Sequence, residues 1–166
     1  SPADDKGLEV LPTPRAVSRE KARFVKLEGW GKRTPLKNLA AAKALIHRGG
    51  GKPFVVVYEN GRFDRYDFTK TPASIQKTAL ADLAVARLHA GPLDGLGKED
   101  FFFSRRLRDA VRFADANEGW AFFLAPNTVQ DVMNVAVSGR VMPPKSTYFY
   151  PKIPSGVVSY ALQGAL

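Results

Sequence analysis

Three features of the sequence predict an α+β domain. Asn60-Gly61, set between Val- and aromatic-rich runs, is a strong two-residue hairpin signal, because both residues tolerate the positive φ of a type I′ turn. Helix-period and strand-period segments are interspersed along the chain. An apolar content of 45% over 166 residues is enough to bury a core and suits one domain. The expectation is a mixed sheet with the one Asn-Gly hairpin and three to four packed helices, with a mixed α/β arrangement as the alternative.

The elements follow in order. Residues 1–6 read as frayed, and Leu8 to Leu11 as a short strand ended by Pro12 and Pro14. Arg23 to Leu27 reads as a second strand, and Gly29-Trp30-Gly31 as a turn. Thr34 is placed as N-cap and Pro35 in the first turn of a helix. That helix runs to His47-Arg48 and stops at Gly49-Gly50-Gly51. Pro53 to Tyr58 is a strand, and Arg62 to Phe68 returns from the hairpin. Ala73 to His89 is predicted as one helix, with Ile75, Ala79, Leu80, Leu83, Ala84 and Leu88 on its apolar stripe and Gly91-Pro92 as its stop. Arg105 to Ala116 is an amphipathic helix. Trp120 to Leu124, apolar at every position, is a strand with both faces covered, central in the sheet. A helix starts at Thr128 and ends at Ser138-Gly139. Ser146–Tyr150 and Val157–Leu162 are the last strands, and residues 164–166 are a frayed tail.

The segment Arg140 to Gly156 carries the most chemistry. It sets Lys145, Ser146, Thr147 and Lys152 among four prolines and around Tyr148-Phe149-Tyr150. Proline stiffens the backbone, and aromatic residues suit a strand. A rigid elbow entering a strand presents its polar groups in one orientation, as a binding site requires. Lys145 and Lys152 supply point charges for an anion, with hydroxyls beside them. The competing reading gives Lys145 and Ser146 the work of satisfying backbone carbonyls and closing the fold.

Met142-Pro-Pro-Lys-Ser-Thr-Tyr-Phe-Tyr-Pro-Lys152 resembles the C-terminal signature of the prokaryotic family named domain of unknown function 1015. Gly7-Leu-Glu-Val-Leu-Pro-Thr-Pro-Arg15 is similar to that family's Gly-Leu-x-Ile-Leu-Pro-Thr-His-Arg segment, and Gly91-Pro-Leu-Asp-Gly-Leu96 more weakly to its Glu-Pro-Leu-Leu-Gly. The three fall in the family's order. The family's N-terminal half carries an Asp-Gly-His-His-Arg motif that looks related to the ParB and sulfiredoxin superfamily, which includes free-serine kinases. That motif is not in this sequence, which begins Ser-Pro. The resemblance therefore implies the C-terminal portion of a longer protein, with its own N-terminal half as one partner and with any chemistry needing that half. The family's Leu-His pair has no clear counterpart, its place falling at Ala86 or Arg87, and His89 reads as a helix-terminal residue rather than a catalytic base.

Composition narrows the function further. With no Cys, disulfides, thiolate catalysis and Cys-ligated zinc are excluded. His47 and His89 are the only imidazoles, so neither a metal nor a cofactor is expected. No apolar run approaches the ~20 residues of a membrane span, and the expected location is cytoplasmic. Net charge is +9, and residues 1–52 hold twelve Lys/Arg against five Asp/Glu. That excess suits phosphates, nucleic acid or an acidic protein face. Lys145-Ser146-Thr147 fails as a P-loop, since Pro143-Pro144 replaces the glycine cradle and no helix follows. Gly49-Gly50-Gly51-Lys52 fails because it leaves a helix rather than entering one. Asp64 and Asp67 fall on opposite faces of a strand and make no carboxylate pair.

The leading expectation is a module that binds a phosphorylated or otherwise anionic small molecule or a nucleotide through Lys145, Ser146, Thr147, Tyr148, Tyr150 and Lys152. The alternative is a nucleic-acid-binding module using Arg19, Lys21, Arg23, Lys26, Lys32 and Arg33. A stand-alone enzyme comes third, because no acid, base and nucleophile converge in the sequence.

Overall fold

The structure, a computed structural model, describes residues 9–11, 13–49 and 51–150. The expectations for residues 1–6 and 164–166, for Lys152 and for the strand Val157–Leu162 lie outside the described residues. Among the described residues eight strands and five α-helices follow one another as β1 (Glu9–Leu11), β2 (Arg15–Val17), α1 (Arg19–Ala22), β3 (Gly31–Leu36), α2 (Leu39–Arg48), β4 (Phe54–Glu59), β5 (Arg62–Phe68), α3 (Ala84–Ala90), β6 (Phe102–Phe103), α4 (Leu107–Ala116), β7 (Trp120–Phe123), α5 (Val129–Val137) and β8 (Tyr148–Tyr150). Six strands form one sheet in the order β3-β5-β4-β7-β2-β6, and β1 pairs with β8 in a second. The fold is α+β. Every pairing is antiparallel, so the sheet is not the mixed one expected.

The Asn60-Gly61 hairpin forms as the sequence predicts, with φ of 46° and 78° at its two turn residues. It sets Tyr58 opposite Phe63, their ring centroids 4.7 Å apart. Alternation along β4 then divides the core. Phe54, Val56 and Tyr58 face α2 and α4, meeting Ala42, Ile46, Ala110 and Ala114. Val55 and Val57 face the opposite side, where Leu80, Leu83, Leu88 and Val135 cover them. β7 lies between β4 and β2, and Ala121, Phe122 and Phe123 are buried because both faces are covered. Full burial of each such Val or Phe side chain stabilises by about 1.5–3 kcal/mol.

Several elements differ from the sequence reading. Thr34 and Pro35 lie in β3, not in a helix, and Asn38 is the true cap, its side chain accepting from Ala41 N at 3.0 Å. The proline is tolerated because β3 is an edge strand. Arg23 to Leu27 is a turn and an extended stretch after the four-residue α1, not a strand. Residues 73–83 form consecutive i→i+3 turns, and the helix begins only at Ala84. The Thr78 hydroxyl donates to Ile75 O and accepts from Leu80 N, offering the backbone an alternative to the helical ladder. Ile75, Leu80, Leu83 and Leu88 are nonetheless buried, so the apolar spacing marked the core while misplacing the helix. α5 starts as predicted, with Thr128 and Asp131 capping each other's backbone.

Gly119 links α4 to β7 where the chain passes close to β2, and a Cβ there would lie 1.9 Å from Val17 O. At Gly61 the same addition meets open space, so only the positive φ penalises it. Gly119→Ala is therefore expected to destabilise by more than the ~1–2 kcal/mol that Gly61→Ala costs. Urea denaturation of the two variants beside the parent checks the order.

Candidate functional site

The side chain at the centre of the fold's polar chemistry is Arg15. Its strand, β2, lies between β7 and β6 and places Arg15 opposite Phe122 and Phe103. Only 1% of the residue is exposed. Its guanidinium meets three acceptors. One terminal nitrogen donates to His89 Nε2, and the other donates to the carbonyls of Thr13 and Lys145, each at 3.3 Å. Phe103 lies beneath the guanidinium at 5.6 Å, and Phe101 packs on the His89 ring at 5.2 Å. Nε of Arg15 is buried with no partner among the described residues.

Among the described residues no carboxylate meets this buried cation; such burial costs free energy, and the titration of both groups reflects it. Burial lowers Arg15 to about 10, still protonated at neutral pH. Burial, and then the charge of Arg15, lowers His89 to about 3. The imidazole is therefore neutral, with its proton on Nδ1 and Nε2 free to accept. His89 is not the plain helix-end residue of the sequence reading but the partner of a buried charge.

Lys145, whose carbonyl Arg15 holds, has φ of 55°. Such a conformation is unfavourable for a residue with a Cβ and persists where surrounding bonds fix it. Those bonds are visible. Asn127 Nδ2 donates to Ser146 O at 2.8 Å, the Ser146 hydroxyl donates to Pro143 O at 2.5 Å, and Arg140 N donates to Val135 O at 3.2 Å. Loop and α5 flank an open hollow of about 390 Å³ whose polar lining is Arg140, Lys145, Ser146 and Thr147, and whose apolar wall includes Val135, Met142 and Pro143.

Lys145, Ser146 and Thr147, the start of the ligand-binding set expected from the sequence, all line this hollow. Ser146 is buried and its hydroxyl closes the loop, the role weighed against ligand binding. Tyr148 and Tyr150 do not line the hollow. They belong to β8, where Tyr148 is covered by Arg105 at 4.4 Å and Tyr150 pairs with Glu9. Sequence reasoning did not single out Arg15, Asn127 or Arg140. A basic residue directly before the apolar Ala16-Val17 pair, in a proline-flanked segment, was the available signal for the first.

Part of the basic first third is engaged within the fold. Arg19 pairs with Glu118 at 2.6 Å, Lys21 with Asp100 at 2.8 Å and Arg33 with the buried Asp64 at 2.8 Å, while Arg23 lies over the ring of Phe24 at 4.9 Å. Lys26 and Lys32 are exposed. Among the described residues no group of three His, Asp or Glu side chains could hold a metal ion, and no helix is long and apolar enough to cross a membrane. Comparison of the chain with protein-family models, with curated proteins and with solved structures found no match.

The His89 geometry fixes a pH dependence. Its folded pKa lies below the unfolded value of 6.5, so the unfolded chain binds more protons between those values. The stability it contributes is complete above pH 6.5 and is lost progressively as pH falls towards 3. At pH 5 the loss is on the order of 2 kcal/mol. In His89→Gln, whose side-chain oxygen still accepts from Arg15, the fall in Tm between pH 7 and pH 5 is expected to be smaller. Thermal melts of both proteins across that range measure it.

Proposed function

We propose that the chain is a binding module for a small anionic ligand bearing phosphate or carboxylate groups, a nucleotide among them, seated in the hollow between α5 and the Arg140–Thr147 loop. The observation that carries this reading is the fixed presentation of Lys145. Its backbone is held at positive φ by a bond from a buried arginine, and its exposed side chain stands on a hollow that also takes Arg140 and the Thr147 hydroxyl. Two cations converging on one concavity favour an anion, and the apolar wall suits an uncharged portion of the same ligand. The charge of Arg15, buried a short distance below, adds to the field on that side of the loop, where few waters screen it.

The resemblance of the segments around Arg15, Gly91 and Lys145 to domain of unknown function 1015 supports the same reading. In that reading the family's N-terminal half is a partner, and any covalent chemistry uses groups from it.

The test is a thermal-shift panel of inorganic phosphate, nucleoside mono- and triphosphates, sugar phosphates and dicarboxylates. A ligand that binds the native state raises its Tm. Lys145→Gly is the informative variant. Glycine adopts positive φ without penalty, so this protein is expected to be as stable as the parent or more stable by up to ~1 kcal/mol. It is also expected to lose the ligand-induced shift, and Arg140→Ala to reduce it. A shift that survives undiminished in both variants, or no shift with any compound, refutes the proposal.

A further inference from the structure

The apolar wall of the hollow beside Lys145 continues past its rim. α5 is apolar at six of its nine positions, yet Val135 is its one buried residue. Val132 and Ala136, one turn apart, line the hollow, and Met133 and Val137 form the neighbouring stripe. Met133 is 54% exposed, Val137 84% and Val141 86%. Half of the exposed large apolar side chains among the described residues are thus gathered on one helix and the loop that leaves it. Apolar side chains clustered in this way, unlike scattered single ones, mark a contact surface. The charge on this surface is of one sign. Arg140 and Lys145 are the ionised side chains of the lining, and among the described residues neither a carboxylate nor an aromatic ring lines it. The sequence holds no Asp or Glu after Asp131, which lies in the first turn of α5, away from the loop, and accepts from Thr128 N at 2.7 Å. The carbonyl end of α5, which would repel an anion, is partly satisfied within its own turn. Gly139, at φ of 67°, donates to Ala136 O at 3.0 Å, and Arg140 N donates to Val135 O at 3.2 Å.

From this we infer that the ligand of the hollow is an anionic amphiphile, a phosphate or carboxylate that carries an aliphatic chain. The inference rests on the anion-binding reading given above and narrows it. Arg140, Lys145 and the Thr147 hydroxyl receive the head group, and the chain lies along Ala136, Val141 and the Met133–Val137 stripe. Two features favour a chain over a base and sugar. No ring of the described lining offers a base a stacking surface, since Tyr148 lies outside the hollow under Arg105. The Ser146 hydroxyl is already spent on Pro143 O, which leaves Thr147 as the one uncharged polar side chain of that lining free to read a ligand. Met142, unbranched and polarisable, and the small aliphatic residues around it suit a flexible chain. A second copy of the protein suits the face less well. Two such faces laid together would oppose Arg140 and Lys145 of both copies, with no carboxylate of the described lining to offset them.

Titration calorimetry of the full chain with methyl, butyl and octyl phosphate, each below its micelle concentration, tests the inference. Affinity is expected to rise about twofold per CH2, as half-burial of each group gives, and octyl phosphate to bind more tightly than AMP. Octyl glucoside, with the same chain and no charge, is expected to bind at least ~10-fold more weakly than octyl phosphate. Val137 and Val141 are exposed enough for serine at both places to leave the fold intact. The variant carrying Val137→Ser and Val141→Ser is expected to bind octyl phosphate about fivefold more weakly and methyl phosphate as the parent does. Octyl phosphate binding no tighter than methyl phosphate overturns the inference and leaves the anion-binding reading standing. Absence of octyl phosphate binding overturns it too, and the anion-binding reading falls with it only if the wider panel of anions gives no thermal shift. Equal affinity for octyl glucoside, or full octyl phosphate affinity in the double variant, also overturns it. So does a parent dimer in sedimentation velocity that the double variant abolishes and octyl phosphate does not dissociate, since a second copy then covers the face. Co-sedimentation with phosphatidylcholine vesicles containing phosphatidylglycerol separates the sources of the amphiphile. Where octyl phosphate binds, pelleting assigns the ligand to a bilayer and its absence to a free amphiphile, and both support the inference; pelleting without octyl phosphate binding overturns it.

Discussion

A buried charged group with no carboxylate partner among the described residues sets the terms for the surrounding structure. Arg15 sits in a central strand with two main-chain carbonyls and one neutral ring nitrogen as its acceptors among the described residues. Each acceptor comes from a different part of the chain, so the guanidinium specifies where Thr13, α3 and the Lys145 loop must lie. Removing any acceptor leaves a buried donor unmatched, which is more costly than the bond is stabilising. A leucine in that place would satisfy the apolar neighbours but would not dictate the path of the loop.

The hollow beside Lys145 and a second one, lined by Arg33, Tyr66 and Trp120, lie on the same face of the sheet. Towards α2 and α4 the face is covered by small and aliphatic residues, Ala42, Ile46, Ala110 and Ala114, and is closed. On the other face much of the cover is not helix. It is made from turns at residues 73–83, the short α3, the stretch 25–29 and the proline-rich loop. Irregular cover cannot tile a sheet as evenly as two helices do, and it leaves concavities where its segments meet. Polar and aromatic side chains occupy their rims.

Legibility in the sequence followed the range of the interactions. The β4–β5 hairpin, β7, α4 and the cap of α5 rest on local rules of turn chemistry, periodicity and capping, and they stand where those rules put them. β2, β3 and β6 did not declare themselves. Arg15-Ala16-Val17 is too short for alternation to register, Gly31 to Leu36 contains a proline that reads as a helix start, and Phe102-Phe103 is two residues long. Each is a strand only because a neighbour provides the ladder. The same holds for the site. Lys145, Ser146 and Thr147 stood out because prolines flank them. Arg15, Asn127 and His89 acquire their roles only across separations of 19 to 130 residues, which no local pattern encodes. The predicted helix at 73–83 failed for a related reason, since apolar spacing records burial and is indifferent to whether one helix or successive turns deliver it.

The small β1–β8 ladder joins Val10 to Phe149, near the two ends of the described chain. The bond from Arg15 to the Lys145 carbonyl spans almost the same distance in sequence. Contacts of such separation form late, because the intervening chain must already be compact for the closure entropy to be small. During synthesis the bond waits for Lys145 and the ladder for β8 to leave the ribosome, by which time the hairpin, α4 and β7 have had the opportunity to assemble. The loop that carries Lys145 is thus the keystone of the fold's timetable, set in place only when everything beneath it is finished. A chain interrupted before residue 145 would hold all the strands of the six-stranded sheet and neither of these two contacts.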